Sequence, residues 1–340
     1  MINVTVTSRP TIRKVAERAG VSRMTVSRVL GDRNDLVSEE TRRRVLDVVR
    51  ELEYVPVAQP MMQSRKVETR IIGLVFDLAP IEGPFGIAIF IGLRESAKKY
   101  DYDLLTLVRD APEWMNGREE LQFLNRQCDG VIFISPAQRY KTIETLSQHN
   151  IPVVCCHTND VPAQIPCVLL DNFGAMYQMT QHLIENGHTN IMHVGSCMIR
   201  PDFAEREAGY RKAMLDAGLQ PVVYNLDYRN EVSLRGFLES MERHNTTAFN
   251  CVSDAQAFCV WDVMMVQGMR VPQDISITGM DNIRKEVVSR GLTTIVTPLE
   301  ESGTQAFGMM MELMDKGYGS VEDVTLPVQL VKRTSVRNIS

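Results

Sequence analysis

The side chains best suited to chemistry lie in one short stretch, Ser22-Arg-Met-Thr-Val-Ser-Arg-Val-Leu30. Val26, Val29 and Leu30 recur at helical spacing and form an apolar stripe. Arg23, Thr25, Ser27 and Arg28 then fall on the opposite, wet face. Guanidinium and hydroxyl groups gathered on the outer face of a short helix suit base edges and phosphates in a DNA major groove.

Such a helix must be held in place. Ile12, Val15, Ala16 and Ala19 fall at i, i+3, i+4 and i+7, so residues 12–19 predict a preceding helix that Thr11 can cap. Gly20 lets the chain leave that helix in a left-handed conformation, and Ser22 can cap the next. A third helix is expected from Ser38, with Glu39 and Glu40 in its first turn, where the dipole favours anions. Its apolar stripe is Val45, Val48, Val49 and Leu52, and Tyr54-Val-Pro56 ends it. Arg42, Arg43 and Arg44 near its start read as a solvated face, with phosphate contact the alternative. Residues 57–69 read as a linker.

Charge supports a division of labour. The chain has 340 residues and a net charge of −5. Residues 1–70 carry 14 Lys and Arg against 9 Asp and Glu, a net of +5, and the remainder carries 23 against 33, a net of −10. A basic head on an acidic body places an anionic partner at the head alone. Seven cysteines, with no CxxC pair, read as free thiols in a reducing compartment. No signal-peptide pattern and no apolar run of about 18 residues occurs, so a cytoplasmic protein without membrane contact is expected.

From residue 70 continuous apolar strands alternate with amphipathic helices. Strands are expected at residues 71–76, 104–108, 130–134, 153–156 and 168–170, then near 191–195, 222–226, 248–252 and 276–280. Helices are expected near 87–100, 119–126, 143–149, 174–186, 206–217, 232–243 and 255–268. The fold class is therefore α/β after an all-α head: two doubly wound lobes with parallel sheets. Ligands in such folds sit at the carboxyl ends of strands, here between the lobes.

Several motifs occur together and in order: Val21-Ser22-x-x-Thr25-Val26-Ser27-Arg28-Val29-Leu30, Val37-Ser38-Glu39-Glu40-Thr41, Tyr54-x-Pro56, Asp171-Asn172-Phe173, Gly187-His188, Arg206-x-x-Gly209-Tyr210, Val271-Pro272-x-Asp274-Ile275-Ser276, Gly279-x-Asp281-Asn282 and Leu292-Thr293-Thr294-Ile295. In these, nearly the whole chain resembles the lactose-repressor/galactose-repressor family of bacterial transcription regulators. The resemblance implies a helix-turn-helix head at 1–56, a hinge at 57–69 and an effector-binding core at 70–340. It implies lobes of the periplasmic-binding-protein type, an N-lobe of about 70–170 and 299–326 and a C-lobe of about 171–298 and 327–340. The partners it implies are a pseudo-palindromic operator, a second copy of the chain (in some members a tetramer), and a small effector: a sugar, sugar acid or sugar phosphate. No cofactor is expected.

The family's DNA-binding positions carry over to Thr11, Arg23, Met24, Thr25, Ser27 and Arg28. Arg23 and Met24 stand where the family chooses operator bases. Arg23 can bond bidentately to guanine, and Met24 can meet a thymine methyl or pack back on the first helix. The family's hinge helix wedges a Leu into the minor groove, but this chain has Gln63 there. Pro60 is tolerated only in a first turn, so a shortened hinge helix from Pro60, with Met61 or Met62 as the wedge, is expected. Pro60, Met24 and the run Tyr210–Gly218 are similar to the gluconate-repressor branch.

For the effector the resemblance implies Asp77, Phe85, Arg200, Arg206, Tyr228, Ser253, Asp281 and Thr297. Arg206 and Asp281 match the family's most consistent polar contacts and suit a polyhydroxylated ligand. Phe85 and Tyr228 would be apolar wall and stacking face. Ser253 replaces the family's usual Asn, and Thr297 lies on a segment crossing between lobes. Arg200, expected on a loop before Pro201, would add a second positive charge and favour an acidic ligand. The loop between Phe76 and Phe85 is longer than usual for the family and borders the expected cleft.

An enzyme on the same fold is the competing reading. No GxGxxG, GxxxxGK[ST] or GxSxG motif follows any expected strand. The six histidines lack metal-ligand spacing and read as satisfied structural groups. A solute-binding protein fits the body but leaves the head without a use.

Overall fold

The computed structural model describes residues 12–30, 37–52, 68–76, 83–107, 127–136, 140–198 and 200–340. Thr11, Met61, Met62, Asp77, the Pro60 hinge, the loop after Phe76 and the helix expected near 119–126 lie outside the described residues. The chain divides into two compact units, Met1–Lys66 and Val67–Ser340.

The first unit holds three helices: α1 (Ile12–Ala19), α2 (Arg23–Leu30) and α3 (Glu39–Glu51). Val15, Ala16 and Ala19 of α1, Val26 and Val29 of α2, and Val45 and Val48 of α3 close into one small core. The turn works as the residues predict. Gly20 has φ +65°, and the Ser22 Oγ accepts from the Thr25 backbone N–H at 3.0 Å.

The second unit contains two six-stranded sheets. Its first half runs β1 (Ile71–Phe76), α4 (Pro84–Tyr100), β2 (Asp103–Leu107), β3 (Gly130–Ile134), α5 (Tyr140–Gln148), β4 (Val153–Cys156) and β5 (Cys167–Leu170). Next come α6 (Asn172–Glu185), β6 (Ile191–Ser196), α7 (Pro201–Asp216), β7 (Val222–Leu226), α8 (Glu231–Arg243), β8 (Ala248–Cys251), α9 (Asp254–Val266), β9 (Ser276–Asp281), α10 (Lys285–Ser289) and β10 (Thr293–Val296). The chain ends with α11 (Leu299–Lys316), β11 (Val324–Leu326) and β12 (Gln329–Val331). One sheet is ordered β11-β5-β4-β3-β1-β2 and the other β12-β10-β9-β8-β6-β7. All pairings are parallel except β10 with β12, which run antiparallel. The chain crosses between lobes three times: from β5 to α6, from β10 to α11, and from β11 to β12.

Each sheet is covered on both faces, which is why central strands such as β3, β4, β8 and β9 are buried along their whole length. In the N-lobe α4 and α11 pack at glycine contact. A Cβ on Gly92 would run into the Glu300 carbonyl, and one on Gly303 into that of Ile89. In the C-lobe Gly209 of α7 lies as closely against the Phe173 carbonyl of α6.

Helix α7 starts at Pro201, five residues before the helix expected from Arg206. Proline at the first helical position is favoured because its missing N–H is one that no helical turn would use. Arg200 therefore stands at the N-cap position without a side-chain capping bond, and Arg206 lies inside the helix and is buried.

Candidate functional site

In the head, α2 leaves Arg23, Ser27 and Arg28 exposed and Thr25 half-buried. Met24 is 64% exposed, which excludes its packing back on α1. Its sulfur lies 3.5 Å from an Arg28 Nη, so the two side chains share one surface.

In the body, strand ends of the C-lobe sheet carry an electrostatic cluster. Arg206, on α7, donates from Nε to Asn172 Oδ1 at 2.9 Å and from Nη1 to the Val252 carbonyl at 2.7 Å. Its guanidinium also stands 3.8 Å from Asp202 Oδ2 and 4.0 Å from Asp281 Oδ1. Asp281 ends β9, and the backbone turns sharply there: φ is +132° at Asp281 and +58° at Asn282. Burial pushes the Asp281 carboxyl up to about 7 against the pull of Arg206, and neighbouring Asp254 pushes the same way. Asp254 is itself raised by burial, although its carboxylate accepts from the Thr294 hydroxyl and the Asn282 N–H, both at 2.6 Å.

Arg200 is not the second free cation the sequence suggests. Its guanidinium forks onto Asp202, Nε to Oδ1 at 2.9 Å and Nη2 to Oδ2 at 2.7 Å, and lies 4.6 Å from the Phe203 ring centre. Burial opposes the Asp202 charge, but Arg200 and Arg206 together hold that carboxyl below its usual range. Arg200 as a free second cation is corrected accordingly, and it no longer argues for an acidic ligand. The helix start at Pro201 brings Asp202 within reach, and the two charges cancel.

The N-lobe contributes a different kind of wall. His157 follows β4 with φ +60° and is 5% exposed, and neither ring nitrogen has a hydrogen-bond partner among the described residues. Phe85 meets it edge-on, ring centres 5.3 Å apart. Burial lowers the imidazole to about 4, with the C-lobe charges of Asp202, Arg200 and Arg206 also acting on it. Ser135 follows β3 with φ +47°, and its buried Oγ also lacks a partner among the described residues. His157 is thus not a satisfied structural group, which corrects the reading of the histidines. His193 shares the feature in part, with an unpartnered Nδ1 inside the C-lobe.

The remaining expected residues divide. Thr297 is buried and donates its hydroxyl to the Asp281 carbonyl at 3.2 Å. Ser253 caps α9, its Oγ accepting from the Gln256 N–H at 3.2 Å. Tyr228 is 44% exposed, with the Arg229 guanidinium 5.4 Å from its ring centre, and does not join the buried cluster. The sequence reading missed Asn172, Asp202, Asp254, Ser135 and His157. The last two were findable, since each is the first polar residue after a continuous apolar strand. Among the described residues no helix is long and apolar enough to cross a membrane, and no three His, Cys, Asp or Glu are grouped to hold a metal.

Residues 11–57 match the family model for bacterial regulatory proteins of the lacI family. Residues 69–334 match the model for periplasmic binding proteins and the sugar binding domain of the LacI family. An HTH-type transcriptional repressor PurR from Actinobacillus pleuropneumoniae is 31% identical over 340 residues, covering 97% of this chain and 99% of its own. A transcriptional regulator CelR–cellobiose complex has a TM-score of 0.71 at 26% identity, covering 96% of this chain and 100% of its own. A lac repressor dimer bound to operator has a TM-score of 0.67 at 24% identity, covering 97% and 100%.

Proposed function

The chain belongs to the LacI family and is a ligand-responsive DNA-binding transcriptional regulator; from that footing we propose that it represses a carbohydrate-utilisation operon and answers to an uncharged sugar. The observation that carries the ligand class is the buried Arg206–Asp281 pair facing an unpartnered, neutral His157. A ligand carboxylate entering this site would need a buried cation without a partner. Arg200 is matched by Asp202, and Arg206 by Asn172, Val252 and two carboxylates. Sugar hydroxyls, which both donate and accept, fit a site of balanced charge: they donate to Asp281 and His157 and accept from Arg206 and the other imidazole nitrogen. The CelR relative holding cellobiose is in keeping with this reading.

We read Phe85, Arg206, Asp281 and Thr297 as effector-site residues, with Arg200 setting the orientation of Asp202. Asp77, Tyr228 and Ser253 stand as expectations from the resemblance. In the head, Arg23 and Met24 choose bases, Thr25, Ser27 and Arg28 hold backbone or base, and Thr11, Met61 and Met62 complete the contact. The protein works in the cytoplasm as a dimer on a pseudo-palindromic operator, with a head at 1–56, a hinge at 57–69 and a core at 70–340. Effector binding favours one arrangement of the lobes and so shifts the population competent for DNA.

Thermal shift with glucose, ribose, cellobiose and gluconate tests the ligand class. A neutral sugar present at 100 times its Kd should add about 2.7 kcal/mol of stability. Stabilisation by gluconate alone refutes the charge argument and returns the site to sugar acids. Gel-shift titration with the flanking DNA tests the output, and binding without salt or sequence dependence refutes it.

A further inference from the structure

Asp281 owes its place to residues that do not face the cleft. Two successive non-glycine residues with positive φ, Asp281 and Asn282, form a turn that persists only when neighbours over-determine it. Arg333, just past β12, supplies one constraint. Its Nη2 donates to Asn282 Oδ1 at 2.8 Å, its Nη1 to the Leu292 carbonyl at 2.7 Å, and its own N–H donates to Thr293 Oγ1 at 2.8 Å. Asp254 supplies the other by accepting the Asn282 N–H at 2.6 Å, and Thr294 fixes that carboxylate from the far side at 2.6 Å. Asn282 is therefore held at its side chain and at its backbone, by α9 and by the C-terminal segment. Among the described residues the Asp281 carboxylate next to it makes no comparable contact; Arg206 stands 4.0 Å from it.

We propose that Arg333 and Asn282 are positioning residues for the effector: their bond holds the Asp281 turn so that its carboxylate faces Arg206 and the ligand. This rests on the reading of Asp281 as an effector contact. The connection also has a direction. Arg333 follows the third crossing between lobes, and Thr297, on the second, donates to the Asp281 carbonyl. Asn172, at the first crossing, accepts from Arg206. Each crossing thus bonds to the Arg206–Asp281 pair or to its immediate neighbour.

The test separates positioning from plain stability. Asn282→Gly removes the acceptor for Arg333 and relieves the backbone at once, so it should leave the melting temperature and the operator affinity of the unliganded protein unchanged. Two readouts are then taken on the full-length protein. The first needs no ligand: a crystal structure of the variant should show the Asp281 carboxylate displaced from Arg206. The second is calorimetric titration with whichever of glucose, ribose, cellobiose or gluconate most stabilises the wild type, where about a tenfold loss of affinity is expected. Asn282→Asp keeps an acceptor for Arg333 and should restore both. Asp281 unmoved in the glycine variant, or an affinity within twofold of wild type, overturns the proposal. Asp281→Asn is run in parallel. If it binds the same sugar as tightly as wild type, the effector reading itself fails and the positioning role falls with it.

Discussion

The two walls of the cleft are built on opposite plans. The C-lobe wall provides its polar groups with partners: Arg200 with Asp202, Arg206 with Asp202 and Asp281, Asp254 with the Thr294 hydroxyl and the Asn282 N–H. The N-lobe wall presents Ser135 and His157, buried without hydrogen-bond partners among the described residues, beside the apolar edge of Phe85. On the proposed effector site, one wall is organised before a ligand arrives, and the other would be completed by it. Buried polar groups cost free energy unless bonded, so a ligand that bonds the N-lobe groups favours the arrangement that brings both walls together.

Arg206→Ala strikes hardest at this contrast. Removing one partner of a buried ionic network strands the others, so Asp202 and Asp281 would stay buried without their shared cation. The loss should be roughly 3–5 kcal/mol of stability, read by urea denaturation, together with all effector binding. Arg206→Lys should not rescue it, because an ammonium cannot serve Asn172 and Val252 from one planar fork. A variant as stable as wild type would show that the C-lobe wall is not the organised one.

His157→Phe probes the other wall with a smaller effect. It removes two unbonded nitrogens and keeps a ring beside Phe85, so the melting temperature should hold or rise. Effector affinity should fall about five- to tenfold, the worth of a neutral hydrogen bond or two. A fall in stability without a change in affinity would reverse the assignment of the walls.

The smallest effect is in pH. Asp281 keeps its proton in the fold up to about 7, whereas in the unfolded chain it loses it near 4, so its contribution makes stability fall as pH rises across that window. His157 stays neutral in the fold down to about 4, whereas unfolded it takes a proton near 6.5, so it makes stability rise over nearly the same range. In the wild type the two slopes oppose one another. Asp281→Asn should leave melting temperatures that climb more steeply from pH 4 to 6.5, and His157→Phe should leave them shallower or falling. Parallel curves for the two variants would mean that the walls do not differ in this way.

Much of this was legible in the chain and part was not. Helical spacing gave the head core, from Ile12 through Leu52, because a small helical unit is specified by local periodicity. Arg206 and Asp281 were recognisable by motif. Arg200 was misread because its role depends on where α7 begins, and a helix boundary is among the least certain features of a sequence. Asn172 was visible as part of the Asp171-Asn172-Phe173 motif but without a role, and Arg333 carries no local signal. Each becomes part of the site only because a crossing between lobes carries it to β9 or α7, which is information held in topology. Met24 lies between these cases: the residues left it open between a base contact and packing on the first helix, and the fold exposes it beside Arg28.

The glycine contacts of α4 with α11 and of α6 with α7 bear on how such a molecule could transmit a signal. Helices that meet backbone to backbone have no side chains between them to compress. Neither lobe therefore offers much compliance, and a displacement imposed at Arg206 or Asp281 cannot dissipate inside its own half. On the proposed function we expect it to be delivered to the three crossings between the halves that the described residues show. A methyl group at Gly92, Gly303 or Gly209 would pry these helices apart and add slack, so that a ligand could still be held while its arrival went unreported.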